Sequence, residues 1–170
     1  MKLYLYIFLI SGLCISSPAI AGDSDDAAIL QEVDRLVSLM SDGPASLVEE
    51  ASLIKYVSCL SGMDSKEAAI VLFNIESFGG GNNSRQFMAI FSRGIKDGGY
   101  PDWPFHEWRL YGVTKVGSDW DRWFSEINCK ENRITLSGVS WIEGKDAHCC
   151  PSGTVQADFL FSPYSIHEVP

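Results

Sequence analysis

The stretch that decides the fold is SLVEEASLIKYVSCLSGMDSKEAAIVLFNIES, Ser46 to Ser77. Leu47, Ala51, Ile54 and Val57 recur at helical spacing, so one side of a helix from Ser46 to about Leu60 would be apolar. Ser46 stands three residues before Glu49, the spacing of a capping box, and Gly62 supplies a stop. Asp64 and Glu67 repeat the start signal. A further helix would then run to about Ser77, with Ala68, Val71, Leu72 and Ile75 inward. Upstream, Ile29, Leu30, Val33, Leu36, Val37 and Met40 form the stripe of another amphipathic helix, Asp25 to Met40. Ser24, Asp25 and Asp26 stand at its start, and Asp42-Gly43-Pro44 breaks it.

Gly79-Gly80-Gly81-Asn82-Asn83-Ser84 is a break, and the pattern changes after it. Gln86–Ser92 is short, aromatic and apolar. Trp108–Val116, Arg133–Ile142, Thr154–Phe161 and Tyr164–Val169 alternate as strands do. Trp120, Trp123 and Phe124 repeat at helical spacing and are expected in the core or on a short packed helix, not on a ligand platform. The expected class is therefore α+β, with N-terminal helices (about 24–78) packed against a C-terminal antiparallel sheet (about 85–169) and stabilised by disulfides.

Residues 1–21 read as a secretory signal peptide. Lys2 precedes an apolar run from Leu3 to Leu13, and Ala19-Ile20-Ala21 is a cleavage site. The run of about 11 residues falls short of the roughly 20 that a membrane-spanning helix needs. Cleavage is expected after Ala21, leaving residues 22–170 as a single domain of the periplasm with no membrane insertion. That portion holds 12 basic and 22 acidic residues, a net charge of −10. Such a surface repels phosphate backbones, so nucleic acid is not expected as a partner.

Four cysteines follow the leader: Cys59, Cys129, Cys149 and Cys150. An even number in an exported chain points to disulfides. Adjacent cysteines seldom bond each other, because the ring strains the peptide between them. The expected pairing therefore joins Cys129 to one of the adjacent pair and Cys59 to the other. Asp146-Ala147-His148-Cys149-Cys150-Pro151-Ser152-Gly153 falls between two strands. Pro151 holds Cys150 extended, and Asp146 can accept backbone N–H bonds in the turn. The segment reads as a rigid connection. A zinc sphere from Cys129, His148, Cys149 and Cys150 lacks the usual gap between thiolates, so no metal and no cofactor is expected.

The strand, D-x-x-C-C-P-[ST] loop and strand from Ile134 to Phe161 resembles poorly characterised secreted proteins of Gram-negative bacteria. The resemblance implies export and transfers no catalytic role. The small size, acidic charge, helical front half and cysteine bonding also look like periplasmic immunity proteins that neutralise wall-cleaving effectors.

Gly94 to Trp108, GIKDGGYPDWPFHEW, is a glycine-rich aromatic loop. Tyr100, Trp103 and Phe105, like Trp108, are residue types that anchor interfaces. With His106, the first three are the expected binding residues for a protein partner. The expected function is non-enzymatic, an inhibitor or immunity factor against a cell-wall-acting protein. The alternatives are an envelope hydrolase using Asp97, Asp102, His106 and Glu107, or an envelope stress or assembly factor.

Overall fold

The computed structural model describes residues 22–40, 46–63, 67–76, 83–93, 108–119, 121–147, 150–163 and 165–170. One helix, α1 (Gly22–Met40), precedes eight strands: β1 (Ser46–Val57), β2 (Ala68–Glu76), β3 (Ser84–Arg93), β4 (Trp108–Ser118), β5 (Arg122–Lys130), β6 (Arg133–Ser140), β7 (Gly153–Ser162) and β8 (Ser165–Val169). All eight pair antiparallel, in sequence order. The α+β expectation is thus overturned. The described chain is mostly antiparallel sheet with a single helix, and the helices read over Ser46–Leu60 and up to Ser77 are β1 and β2.

The reason lies in how the strands are buried. β4 and β5 meet at a single residue pair, Ser118↔Arg122, so the sheet bends there into two four-stranded halves. The inner faces of these halves form the first core, with Ile70, Leu72, Met88 and Ile90 against Phe124, Ile134, Leu136 and Phe159. α1 covers the other face of β1–β4. Its Ile29, Val33 and Val37, all buried, pack on Val71, Phe73, Ala89 and Phe91 in a second core. β2 and β3 are therefore buried on both faces. From Ala68 to Ile75 not one residue of β2 is exposed. A strand of that kind loses its polar alternation and reads as a continuous apolar run, which periodicity alone cannot separate from a buried helix.

β1 misleads in a different way. Its pairing with β2 jumps from Val48↔Asn74 to Leu53↔Leu72, so four β1 residues stand opposite Phe73 alone. The irregularity reverses the phase of the strand. Leu47 and Ile54, seven residues apart, consequently share the face that packs on the second core. Seven residues is also about two helical turns, so the bulged strand imitates the helix period.

Elsewhere the sequence reading fares better. α1 lies where its stripe of apolar residues placed a helix, starting two residues before the expected cap. β3, β4, β6, β7 and β8 lie on the segments read as strands. Phe124 is buried in the first core as expected, but it stands on a strand and not on a short helix.

The disulfide pairing also needs correction. Cys59 bonds Cys129, with their Cα atoms 6.0 Å apart, because the end of β1 and the end of β5 lie side by side. Asn132, in the left-handed β5–β6 turn (φ 64°), reinforces that junction. Its N–H donates to the Cys59 carbonyl (3.0 Å), and its side chain accepts from the Ser61 N–H (2.5 Å) and donates to the Ser61 hydroxyl (2.7 Å). Cys150 is disulfide-bonded as well, and its partner is outside the described residues, as is Cys149.

Candidate functional site

β3 ends at Arg93 and β4 begins at Trp108, and these two residues are register partners. The 14-residue aromatic connection, 94–107, therefore leaves and re-enters the sheet at neighbouring positions. Tyr100, Trp103, Phe105 and His106, and likewise Asp97, Asp102 and Glu107, lie outside the described residues. What the structure shows is the base on which that connection is mounted.

Ionic and aromatic contacts hold the base from three sides. The Arg93 guanidinium reaches Glu67 at 2.9 Å and Asp25 of α1 at 3.3 Å, and lies over the Trp108 ring, 5.5 Å from its centroid. The Arg93 N–H donates to the Glu67 carbonyl at 3.0 Å, which fixes the segment entering β2 against the end of β3. Tyr56 of β1 packs on Trp108 at 5.6 Å between centroids and donates its hydroxyl to Asp26 at 2.5 Å. Partial burial and then the Asp26 hydrogen bond push the Tyr56 phenol well above its ordinary range, so it stays a protonated donor. The start of α1, the end of β1 and the ends of β3 and β4 are thereby tied to one another.

A cleft of about 380 Å³ opens among them. Asp25, Glu67 and Arg93 give it charge; Tyr56, Val57, Ala68 and Trp108 give it apolar wall. Trp108 is only 2% exposed and its indole N–H has no acceptor among the described residues, an uncommon state for a buried donor. Trp108 therefore serves as the buried floor of the base and not as an exposed anchor for a partner. Sequence reasoning singled out the connection but missed Asp25, Tyr56, Glu67 and Arg93, which gather where its two ends join the sheet. They are spread over four segments of chain, and only sheet pairing brings them together.

The other charged side chains with shifted ionisation hold the fold. Arg122 makes two bonds to Glu168 of β8 (2.6 and 2.5 Å) and donates its Nε–H to the Val116 carbonyl (2.8 Å), bracing the corner where the sheet bends. That bonding pulls the Glu168 carboxyl below its ordinary range and pushes Arg122 higher. Asp158 is pulled down by hydrogen bonds from Thr135 and Arg133 of the neighbouring strand. Asp146 accepts from the Ser152 hydroxyl (2.6 Å), the Ile142 N–H (2.8 Å) and the Ser152 N–H (2.8 Å), and these lower it in turn. The DAHCCPSG segment thus joins β6 to β7 as a connection clasped by Asp146, as its sequence implied.

Among the described residues no group of three or more histidine, cysteine or acidic side chains is placed to hold a metal ion, and no helix is long and apolar enough to cross a membrane. No family model, curated protein or solved structure matches the chain.

Proposed function

We propose that the chain is an exported, non-enzymatic binding protein of the periplasm that acts on a protein partner as an inhibitor or immunity factor against a cell-wall-acting protein. The observation that carries this reading is the braced base under the 94–107 connection. Arg93 and Trp108, paired in register at its two ends, are held to α1, to β1 and to the segment entering β2. A loop rich in aromatic residues on such a scaffold suits occlusion of a partner's cleft, because little order is lost in the scaffold on binding. Tyr100, Trp103, Phe105 and His106 are the proposed contact residues. The Cys59–Cys129 disulfide supports residence in an oxidising compartment, and the acidic composition supports a protein partner over nucleic acid.

The test compares the processed chain with Trp103→Ala as bait in periplasmic extract. Retained proteins are identified by mass spectrometry and assayed for peptidoglycan hydrolysis with and without added bait. Loss of a hot-spot aromatic should weaken capture by tenfold or more, a change of about 1.4 kcal/mol or above, while the melting temperature stays within about 2 °C. Equal loss of capture and stability would place Trp103 in the core. Peptidoglycan cleavage by the chain alone, abolished in His106→Ala, would replace this reading with the hydrolase.

A further inference from the structure

We propose that the cleft between the end of β1 and the β5–β6 turn binds a small oxyanion, a carboxylate or phosphate group held among Lys55, Lys130 and Arg133. The chain has 13 basic and 22 acidic residues, so its overall field repels anions. A cleft of about 330 Å³ stands out against that background. Three of the basic residues line it, together with Ser58, Asn128 and Thr135, and among the described residues no acidic side chain does. Its volume is at the lower end of small-ligand sites, which run from about 300 Å³ upward.

The placement of the charges is what calls for a ligand. Lys130 and Arg133 are register partners on the two sides of the β5–β6 turn. Partners of that kind stand on one face with Cβ atoms about 4.5–5.5 Å apart, where like charges repel. Lys55 adds a third cation from β1. Its ammonium donates to the Ile127 carbonyl at 2.5 Å, a neutral partner that leaves the charge uncompensated. Asp158 reaches Arg133 at 2.9 Å, and its other oxygen accepts from the Thr135 hydroxyl. Lys130 and its neighbour Glu131 make no ion pair among the described residues. One carboxylate thus answers three cations, and an anion placed between them removes a repulsion that the fold otherwise carries.

The walls of the cleft are fixed by contacts of their own. Glu131 and Asn132 are both left-handed (φ 51° and 64°), the tight turn that matches the twist of its strands. Asn132 is hooked to Cys59 and Ser61. The Cys59–Cys129 disulfide, which itself lines the cleft, ties β1 to β5. A preformed site loses little order when it binds, so a few charged contacts suffice. None of this depends on the 94–107 connection or on a protein partner.

The test follows the backbone amide shifts of the isotope-labelled chain by NMR as inorganic phosphate or citrate is added, with sodium chloride holding the ionic strength at about 100 mM. Amides at 55–59 and 128–135 should shift together and saturate below about 10 mM of at least one of the two anions. Earlier saturation by phosphate would identify a phosphoryl ligand, and earlier saturation by citrate a carboxylate. Lys130→Gln should weaken binding about fivefold, the effect of one charge at contact distance in water-like surroundings. Its ligand-free melting temperature should stay level or rise, because a like-charge pair is lost. Lys115→Gln, at an exposed position of β4, should change binding by less than about twofold. Shifts that grow without saturating for both anions, or an equal loss of binding in the two variants, would overturn the proposal. So would a clear fall in the ligand-free melting temperature of Lys130→Gln, because Lys130 would then be paired within the fold.

Discussion

β2 and β7 are antiparallel strands of similar length in one sheet, and they differ in what covers them. β2 has α1 on one face and the second half-sheet on the other. Ala69, Val71, Phe73 and Ile75 enter the core under the helix, and Ala68, Ile70 and Leu72 enter the core between the halves. β7 is covered on one face only. Ala157, Phe159 and Phe161 are buried, while Thr154 and Gln156 are exposed. The same backbone geometry thus leaves two sequence signatures, a solid apolar run where both faces are covered and alternation where one is. A pattern of burial reports the layers around an element as much as the element itself.

The contrast can be broken first at its most buried point. Phe73→Ala opens a cavity under α1 and should cost about 3–5 kcal/mol in urea denaturation, whereas Val139→Ala on the outer face of β6 should change stability by less than about 0.5 kcal/mol. Similar costs at the two positions would mean that the outer face of β5–β8 is covered in solution.

A second substitution sharpens how the halves are joined. Gln86, buried on β3, donates to the Phe124 carbonyl at 2.8 Å and accepts from the Phe124 N–H at 2.7 Å. It replaces the strand pairing that β4 and β5 fail to make beyond Ser118↔Arg122. Gln86→Leu leaves both Phe124 groups buried without partners, and a loss of about 2–4 kcal/mol is expected from the same denaturation curves. A loss below about 0.5 kcal/mol would show that packing alone couples the halves.

The smallest effect is at the exposed end of the corner. The hydrogen bonds from Arg122 hold the folded-state pKa of Glu168 below its ordinary 4.5. Its contribution is therefore present above about pH 4.5 and is lost as the pH falls through the lower folded value. The Glu168 side chain is 41% exposed, so solvent and salt screen the pair to less than about 1 kcal/mol. Glu168→Gln should lower the melting temperature slightly at pH 7, and the difference from the parent should shrink as the pH falls below about 4.5 and through the lower folded value. A gap that persists in acid would assign the effect to packing and not to charge.

The same physics sets what was legible at the candidate site. The aromatic connection was visible as composition, and the structure places its two ends side by side at Arg93 and Trp108. Its base was not visible. Asp25 reads as helix capping, Glu67 as the start of a helix that does not exist, and Tyr56 carries no signal of its own beside the stripe of Leu47, Ala51, Ile54 and Val57. None of the three points to the others until pairing brings them together. Cys59 and Cys129 are the sulfur version of this. Their types and number announced a disulfide, but which cysteine met which depended on the ends of β1 and β5 lying together.

By itself, then, the sequence determined the helix read over Asp25–Met40, the strands whose one open face keeps them alternating, and the bonds that Asp146 accepts in the connection between β6 and β7. These rest on contacts within a few residues, or on a division between one face and water. Only the tertiary structure decided that Ser46–Val57 and Ala68–Glu76 are strands, that Cys59 joins Cys129, and that Asp25, Tyr56, Glu67 and Arg93 meet where β3 ends and β4 begins. A strand covered on both sides has no water-facing residues to mark its period, and a bulged one has its phase reversed partway along. In both, the evidence for strand lies in the neighbours that supply the missing hydrogen bonds and cover the apolar faces.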